Sequence, residues 1–339
     1  MLYHDFHNKK NKIILLIHKN PDGDALGSSL ALMLYLKKYK HFVDIISPTE
    51  YSKSFSWLPG IKNILVLSEK TRNLIRKKII ESDYIFCIDF NNLSRIGDEL
   101  KEYLLLCSNS KNILLDHHPN PIHFFDIIFH DLKASATSVI VYRFISSMGD
   151  FNKIDKEMAT CIYVGLMTDT GYFRFSSVNS ETHFIAGKLI EKQVDVYYIY
   201  KNLHENYNEN RLKLLSKALQ NLKIIKKYHT VYTSIEEKDI SYDPYKQGDT
   251  DGIITYGLNI KNIVLSVLFF QEKNKYPVKI SFRSKGNFDV NILARKYFGG
   301  GGHKNASGCI LLNKNINESV NYFLDIIPNY YENNFKNSI

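Results

Sequence analysis

Aspartate and histidine side chains follow three apolar runs of this 339-residue sequence, each close to the point where the run ends. His18, Asp22 and Asp24 follow residues 13–17, Asp89 follows residues 84–88, and Asp116, His117 and His118 follow residues 113–115. In an open α/β sheet, the residues at the carboxyl ends of the strands line the ligand crevice. We therefore predict that these carboxylates and imidazoles converge on one site.

Asp169 supplies a further acidic position, because it lies at the end of a helix that the apolar spacing predicts up to about Thr168. A carboxylate is unfavourable there, since the helix dipole favours cations at the C-terminus, and a bound cation would remove the penalty. Each position also has an ordinary explanation. Asp22 or Asp24 would serve as a helix cap, Asp89 as a loop residue and Asp169 as a polar helix end.

The combination favours a metal site. Four aspartates in one crevice would repel one another and take up protons unless cations balanced them. Carboxylates with a few imidazoles suit Mn²⁺, with Mg²⁺ or Co²⁺ as alternatives, and the absence of clustered thiolates argues against structural zinc. Two divalent ions would neutralise four carboxylates, and paired metals are the usual means of hydrolysing phosphate esters. The sequence therefore predicts a metal-dependent phosphoesterase.

Short apolar runs alternate with helical patterns in the first half of the chain and must position these residues. The runs at 13–17, 42–46, 84–88 and 113–115 are typical of strands buried on both faces, and Leu26, Leu30, Met33 and Leu34 lie on one face of a predicted helix. This alternation predicts an α/β fold with an N-terminal, doubly wound and mostly parallel sheet that helices cover on both faces.

A second domain is predicted beyond a leucine-spaced stretch at 205–222, which indicates a linking helix. Residues 263–270 predict a strand, and Val278, Ile280 and Phe282 alternate with polar residues as in a half-buried strand. A short helix at 289–298 and a glycine loop at 299–302 follow. We predict a first domain over 1–200, a helical linker over 201–224 and a smaller α/β domain over 225–339.

Composition excludes some classes of protein. No apolar run approaches the roughly 18 residues that a bilayer span needs, and no signal-peptide pattern precedes the first strand, which predicts a cytoplasmic protein without a membrane partner. The scattered Cys87, Cys107, Cys161 and Cys309 predict small buried side chains. The net charge of +9 suits an anionic partner, although a general lysine bias would produce the same value. The sequence does not indicate an oligomeric state.

Four segments resemble the four ordered motifs of the DHH phosphoesterase family: HKNPDGDALGSS from residue 18, CIDF from residue 87, DHHP from residue 116 and GLMTDTGYFRFS from residue 165. The segments KISFRS and FGGGGHKNASG resemble the signature of the accessory DHHA1 domain. The resemblance runs in family order from residue 18 to residue 308. The compact length is similar to the nanoRNase and pAp-phosphatase branch, whereas RecJ exonucleases are longer and family II pyrophosphatases have a different C-terminal domain.

The resemblance implies metal and catalytic roles for the first set of residues. His18 and Asp22 would bind one Mn²⁺, Asp24, His117 and Asp169 would bind the other, and Asp89 would bridge the two ions. His118 would face the scissile phosphate, and Asp116 would orient the neighbouring imidazoles. Ser28, Arg95, Thr137 and Ser138 are left open, because each would serve equally well as a crevice residue or as a cap or turn residue.

The resemblance also implies how substrate binds. The distal part of the substrate would contact residues of the DHHA1 domain, namely Arg283, Gly300, Gly301, Gly302, His303 and Lys304. The implied substrates are short RNA or DNA oligonucleotides, linear dinucleotides of the pApA type and adenosine 3′,5′-bisphosphate (pAp). Two alternatives are a RecJ-like exonuclease for long single strands and a nucleotide sensor without activity. The second is disfavoured because no metal ligand is missing from the motifs.

Overall fold

The computed structural model describes residues 2–107, 109–204, 209–240, 250, 252–271 and 277–334, without the side chains of residues 2, 3 and 303. The chain divides into two compact units, Met1–Asn206 and Tyr207–Ile339. Residues 205–208, which fall within the predicted linker, lie outside the described residues. Among the described helices, none combines the length and the apolar character that a bilayer-spanning helix requires.

The described elements of the first unit alternate strands with helices. The strands are β1 (Lys12–Leu16), β2 (Phe42–Ser47), β3 (Ile64–Val66), β4 (Tyr84–Ile88), β5 (Lys111–Asp116) and β6 (Ile127–His130). The helices are α1 (Leu2–Asn8), α2 (Gly23–Lys38), α3 (Arg72–Ile80), α4 (Asp98–Leu106), α5 (Thr137–Ser147), α6 (Lys156–Asp169), α7 (Ser180–Ile190) and α8 (Val196–His204).

The six strands form one parallel sheet in the order β3-β2-β1-β4-β5-β6. The order reverses between β1 and β4, and this reversal is the point at which open α/β sheets bind ligands. The predicted doubly wound sheet is therefore confirmed. Two of its strands, β3 and β6, are absent from the prediction because both are short and only partly buried at the sheet edges.

Strand β1 shows why continuous apolar runs are needed. Ile13 and Leu15 pack into a core with α2, α5 and α6 on one face of the sheet. Ile14 and Leu16 pack into a second core with α3 and α4 on the other face. Because successive side chains of a strand point to opposite faces, a strand that is covered on both sides must be apolar at every position.

Helices α2 and α6 pack closely and antiparallel, so that the beginning of α2 lies beside the end of α6. A Cβ added at Gly23 would stand 2.5 Å from the side chain of Thr168, and one added at Gly27 would overlap the carbonyl oxygen of Cys161. At the opposite end of the pair, Lys38 bonds Asp155. Glycines in α2 thus permit an approach that brings Asp24 near Asp169.

The described part of the second unit combines a mixed sheet with helices. Its strands are β7 (Lys223–Ile225), β8 (Thr230–Ile235), β9 (Leu265–Phe270), β10 (Val278–Ser284), β11 (Gly301–His303) and β12 (Ala306–Leu311), and its helices are α9 (Glu209–Gln220), α10 (Ile253–Leu258), α11 (Val290–Phe298) and α12 (Ile316–Asn334). The strand order is β11-β12-β10-β9-β8-β7, antiparallel except for the parallel pair β8 and β9.

Local predictions in this unit are largely confirmed. Val278, Ile280 and Phe282 are fully buried while the residues between them are not, and the predicted helix begins at Val290 with Asp289 as its N-cap. The predicted glycine loop is partly wrong, because residues 301–303 form the edge strand β11 through pairing with β12. The four cysteines are buried and free, as predicted.

We expect Gly27→Ala to lower the free energy of unfolding by about 1–3 kcal/mol, because the methyl group would overlap the Cys161 carbonyl and force α2 and α6 apart. Urea denaturation measured by circular dichroism checks this. Gly187→Ala in α7 is the matched control, since its Cβ would meet no atom within 4 Å and alanine favours the helix by about 0.5–1 kcal/mol. Equal stability of Gly27→Ala and the wild type would contradict the close packing.

Candidate metal centre

The site residues of the first unit lie at the carboxyl ends of β1, β4 and β5 and at the adjoining ends of α2 and α6. His18 and Asp22 lie in the loop after β1, and Asp89 directly follows β4. Asp116 ends β5, with His117 and His118 after it. The structure thus brings together all eight residues that the sequence suggested for this site, at the reversal of strand order.

His18 presents a buried nitrogen to the site. Its Nδ1–H donates to the carbonyl of Lys19 at 2.8 Å, which leaves Nε2 as the acceptor nitrogen. Nε2 is buried 3.4 Å from Asp89 Oδ2, and no hydrogen-bond partner for it is found in the described part of the chain. A buried nitrogen of this kind is costly unless something binds it. A metal ion fits this position, because neutral imidazole is a common metal ligand.

Asp22 has one of the two roles that the sequence left as alternatives and remains compatible with the other. It is the N-cap of α2, where its Oδ1 accepts hydrogen bonds from the backbone N–H groups of Asp24 and Ala25 at 3.0 and 3.1 Å. The cap fixes the exposed carboxylate at the helix N-terminus. Oδ2 takes no part in these cap bonds, so capping and metal binding are compatible.

Asp24 is buried and is held by the first turn of α5. The backbone N–H groups of Thr137 and Ser138 donate to its Oδ2 and Oδ1 at 2.6 and 3.0 Å, and Ser138 Oγ donates to Oδ1 at 2.6 Å. Asp24 therefore lies at the N-terminal ends of both α2 and α5, where helix dipoles favour a negative charge. A Cβ at Gly165 would overlap Ser138 Oγ and stand 2.6 Å from Asp24 Oδ1.

Asp89 lies at the centre of the site in a strained backbone conformation. Its φ of 64° is in the left-handed region, which residues other than glycine rarely adopt. The backbone N–H of Asp89 still donates to the carbonyl of Leu115 at 3.0 Å, and Thr137 Oγ1 donates to its Oδ1 at 2.8 Å. Strain of this kind persists where surrounding bonds fix it, and it concentrates at functional sites.

His117 connects the second group of ligands. Its Nδ1–H donates to the carbonyl of Ala134 at 3.2 Å, so Nε2 is the nitrogen that is directed at the carboxylates. Nε2 lies 3.3 Å from Asp169 Oδ2 and 3.8 Å from Asp89 Oδ1. Asp169 is the last residue of α6, and the helix dipole cannot stabilise its charge there.

His118 is oriented by two neighbours. Its Nδ1–H donates to Oδ1 of the fully buried Asp116 at 2.8 Å, which fixes the ring and makes Nε2 the nitrogen that can exchange a proton. His130, at the end of β6, donates from Nε2 to the backbone carbonyl of His118 at 2.6 Å. Sequence reasoning missed His130, since nothing in the sequence indicated that the edge strand β6 would bring it beside His118.

The ligand atoms form three overlapping groups. The groups are His18, Asp22 and Asp89; Asp24, His117 and Asp169; and Asp89, His117 and His118, with the atoms of each group within 4.8 Å of one another. The donors are carboxylate oxygens and imidazole nitrogens, the set that divalent Mn²⁺ or Mg²⁺ accepts. Asp89 and His117 each belong to two groups, so two adjacent ions fit the side chains that are present.

The pKa values show the electrostatic cost of this arrangement. Burial and the charge of Asp89 raise the pKa of Asp24 to about 7, and burial and Asp24 raise the pKa of Asp169 above its ordinary value. Burial opposes the charged form of His117, but the carboxylates of Asp169 and Asp89 raise its pKa to about 9. Burial alone would raise the pKa of Asp89, yet His18 and the other histidines lower it overall.

Thr137 and Ser138, which the sequence left open, bond the carboxylates of Asp24 and Asp89. Ser28, also left open, donates from its hydroxyl to the backbone carbonyl of Asp24 at 2.6 Å and so supports the same turn of α2. The sequence offered only small hydroxyl residues that would suit a crevice, a cap or a turn, and this alone could not reveal a contact across 113 positions.

The substrate residues suggested by the sequence lie on the second unit, at the β10, β12 and β11 edge. Strand β12 lies between β10 and β11. Its residue Ala306 pairs with Arg283 of β10 on one side and with His303 of β11 on the other. The side chain of His303 lies outside the described part of the structure. Lys304 is exposed, and its Nζ donates to Asn287 Oδ1 at 3.0 Å.

The three glycines of this edge differ in the space that surrounds them. A Cβ at Gly300 would overlap the carbonyl oxygen of Gly308, and one at Gly302 would stand 2.5 Å from that of Ala306. Gly302 also has a φ of 141°, outside the range that other residues favour. Gly300 and Gly302 thus serve the pairing of β11 with β12. A Cβ at Gly301 would meet no atom within 4 Å, so its backbone is open to a ligand.

Comparison with protein families gives two matches. Residues 12–166 match the DHH family, N-terminal domain, and residues 228–332 match the DHHA1 domain. The chain is 28% identical over 297 residues to the bifunctional oligoribonuclease and PAP phosphatase NrnA of Bacillus subtilis, covering 87% of this chain and 88% of that protein.

Solved structures give the same result for the fold. An exopolyphosphatase-related protein from Bacteroides fragilis is 36% identical, with a TM-score of 0.91 and coverage of 98% of this chain and 96% of that one. RecJ from Thermus thermophilus, solved in complex with Mn²⁺, has a TM-score of 0.51 at 13% identity, and 54% of its chain is covered. The RecJ likeness shows a shared fold alone.

Divalent-metal affinity should rise with pH between about 6 and 9. Asp24, Asp169 and His117 have raised pKa values without metal, so they retain protons that a bound ion must displace. For each proton that the ion displaces, the affinity for the ion should increase about tenfold per pH unit. Calorimetric titration of the metal-free protein with Mn²⁺, in two buffers of different ionisation enthalpy, measures the affinity and the protons released. Affinity independent of pH would contradict this picture.

Proposed function

This chain belongs to the DHH family, and we propose that it is a two-metal phosphoesterase that hydrolyses short oligonucleotides and pAp. The observation that carries the proposal is the overlap of three metal-ligating groups through Asp89 and His117. One group alone would suit a structural ion. Two adjacent ions that share ligands are the arrangement used to stabilise both the attacking and the leaving oxygen of a phosphate ester.

Each ion would have its own ligands and share one. His18 and Asp22 would hold the first, Asp24, His117 and Asp169 would hold the second, and Asp89 would contribute to both. When bound, the ions supply Lewis acidity, which lowers the pKa of the attacking water and offsets charge on the phosphate. The mixed carboxylate and imidazole donors favour Mn²⁺, with Mg²⁺ or Co²⁺ as alternatives.

His118 acts on the phosphate in this proposal. Its Nδ1–H bond to Asp116 fixes the tautomer and the orientation of the ring. Nε2 then donates to a non-bridging oxygen of the phosphate or to the oxygen of the leaving group. Asp116 and His130 are positioning residues, since one orients the ring and the other anchors the backbone that carries it.

The second unit binds the distal part of the substrate. Arg283 offers a planar cationic fork for phosphate or a base edge, and Gly301 offers an open backbone. His303 and Lys304 are the neighbouring polar residues of the same edge. These groups offer a second anchor for an anionic substrate. We also propose that residues 201–224 link the two domains.

Relatives support the choice of substrate. NrnA of Bacillus subtilis is named for oligoribonuclease and PAP phosphatase activity, and its similarity extends over both domains of this chain. A RecJ-like exonuclease for long strands is the alternative, and the RecJ likeness covers about half of that protein. A sensor without activity is disfavoured, because all the metal ligands are brought together.

With Mn²⁺ present, we expect the protein to release AMP from pAp and mononucleotides from pApA, much faster than from a long single strand. Chromatographic assay of these substrates, together with inorganic polyphosphate, measures the preference. Absence of product from pAp and pApA would refute the proposal, and faster turnover of the long strand would favour the RecJ-like alternative. Turnover of polyphosphate alone would point to the exopolyphosphatase activity to which the name of the Bacteroides fragilis relative refers.

Asp89→Asn should lower kcat/KM on pAp by at least about a hundredfold, because it weakens a ligand shared by both ions, each of which contributes several kcal/mol. Asp325→Asn is the control, since it removes the same charge from an exposed position of α12. Metal content is measured for both variants. Unchanged turnover by a folded Asp89→Asn protein would contradict the assignment.

Arg283→Gln should raise KM for pApA about tenfold or more with little change in kcat, since the lost charged contact lies away from the reacting phosphate. Lys279→Gln is the matched control, because Lys279 lies on the same strand and the same face, further along β10. Steady-state kinetics separate the two constants. A fall in kcat at constant KM would instead assign Arg283 to the chemical step.

A further inference from the structure

Arg95 is a half-buried arginine close to the metal centre, and no salt-bridge partner of its guanidinium lies among the described residues. It lies in the short 3-10 turn Leu93–Ile96, after β4 and Asp89. Among the described residues, no carboxylate lies within ion-pair distance of its guanidinium. The roles proposed for the metal ligands and for His118 do not involve Arg95. A guanidinium that is partly removed from water without a partner is costly, and such a cost is repaid when an anion binds.

The backbone places Arg95 next to the first group of metal ligands. The N–H of Lys19 donates to the carbonyl of Arg95 at 2.9 Å, so the turn after β4 is bonded to the residue that follows His18. This bond crosses the reversal of strand order between β1 and β4. Through this bond, Arg95 lies beside the residue that follows His18, next to the group that His18, Asp22 and Asp89 form.

Lys19 adds a second cation to the same place. Its side chain lies along Gly97, where an added Cβ would stand 2.6 Å from Lys19 Cε and 3.0 Å from Nζ. Gly97 also has a φ of 84°, so this turn depends on glycine for both its conformation and its contact with Lys19. Among the described residues, Lys19 likewise has no carboxylate within ion-pair distance.

We propose that Arg95, with Lys19 beside it, forms an anion subsite that binds a non-bridging oxygen of the phosphate held at the metal centre. This proposal rests on the proposed function in one respect, because both concern the phosphate that binds at the metal centre. The planar fork of arginine suits two phosphate oxygens at once, whereas lysine contributes as a point charge. Arg95 would thus contact the phosphate from the turn after β4, and His118 would contact it from the loop after β5.

Binding of inorganic phosphate to the Mn²⁺-loaded protein tests the subsite without any substrate. We expect Arg95→Gln to weaken phosphate binding about tenfold to a hundredfold, and Arg95→Lys to weaken it less, because a charge-assisted hydrogen bond is lost in the first and a charge is kept in the second. Lys19→Gln should have a smaller effect. Calorimetry gives the phosphate dissociation constant, and a separate Mn²⁺ titration shows that the ion site is intact.

Arg76→Gln is the matched control, because it removes an exposed arginine from α3 in the same unit. Phosphate binding by Arg95→Gln equal to that of the wild type, with Mn²⁺ affinity unchanged, would overturn the proposal. Loss of Mn²⁺ affinity in both Arg95→Gln and Arg95→Lys would also overturn it, because a structural role would then explain the residue. Hydrolysis is scored separately. Phosphate binding that depends on Arg95, without turnover of pAp or pApA, would refute the proposed function and leave the subsite standing.

Discussion

The burial and mutual repulsion of carboxylates gathered at one edge of the parallel sheet are the constraint on which the first unit depends. Asp24, Asp89 and Asp169 lie close enough that burial and their neighbours raise the pKa of Asp24 and of Asp169. Apolar side chains at these positions would fold with less cost. The arrangement is therefore explained by what it can bind. Three histidines of the site and two divalent ions would together offset a charge that the protein interior otherwise disfavours.

The packing around the site holds these carboxylates where they would not otherwise remain. The N-terminus of α5 donates two backbone N–H groups to Asp24, and Thr137 Oγ1 donates to Asp89. Glycines in α2 and α6 allow the close antiparallel approach that carries Asp24 and Asp169 to the same end. Because these contacts are backbone bonds and steric fits, they fix the ligands before any ion binds, which lowers the cost of assembling the centre.

The two units carry different sets of polar groups. The first holds the acidic and histidine side chains that suit the reacting phosphate, and it adds Arg95 and Lys19 at the reversal of strand order. The second presents Arg283 and an open glycine backbone at the edge of a mixed sheet. Neither set of groups would select a substrate alone: metals bind any phosphate, and a single arginine binds many anions.

The sequence by itself determined the doubly wound sheet and the acidic and histidine residues that the fold brings together, since continuous apolar runs and polar residues at their ends are local patterns that survive without a structure. It also placed the half-buried strand at Val278 and the helix after Asp289. The tertiary structure alone decided how the ligands are oriented. Ser138 reaches Asp24 across 114 positions, His130 supports His118 from an unpredicted edge strand, and Arg95 meets Lys19 through a bond between two loops. These contacts join residues distant in the chain, and their existence depends on packing and strand order, which no local spacing of residue types encodes.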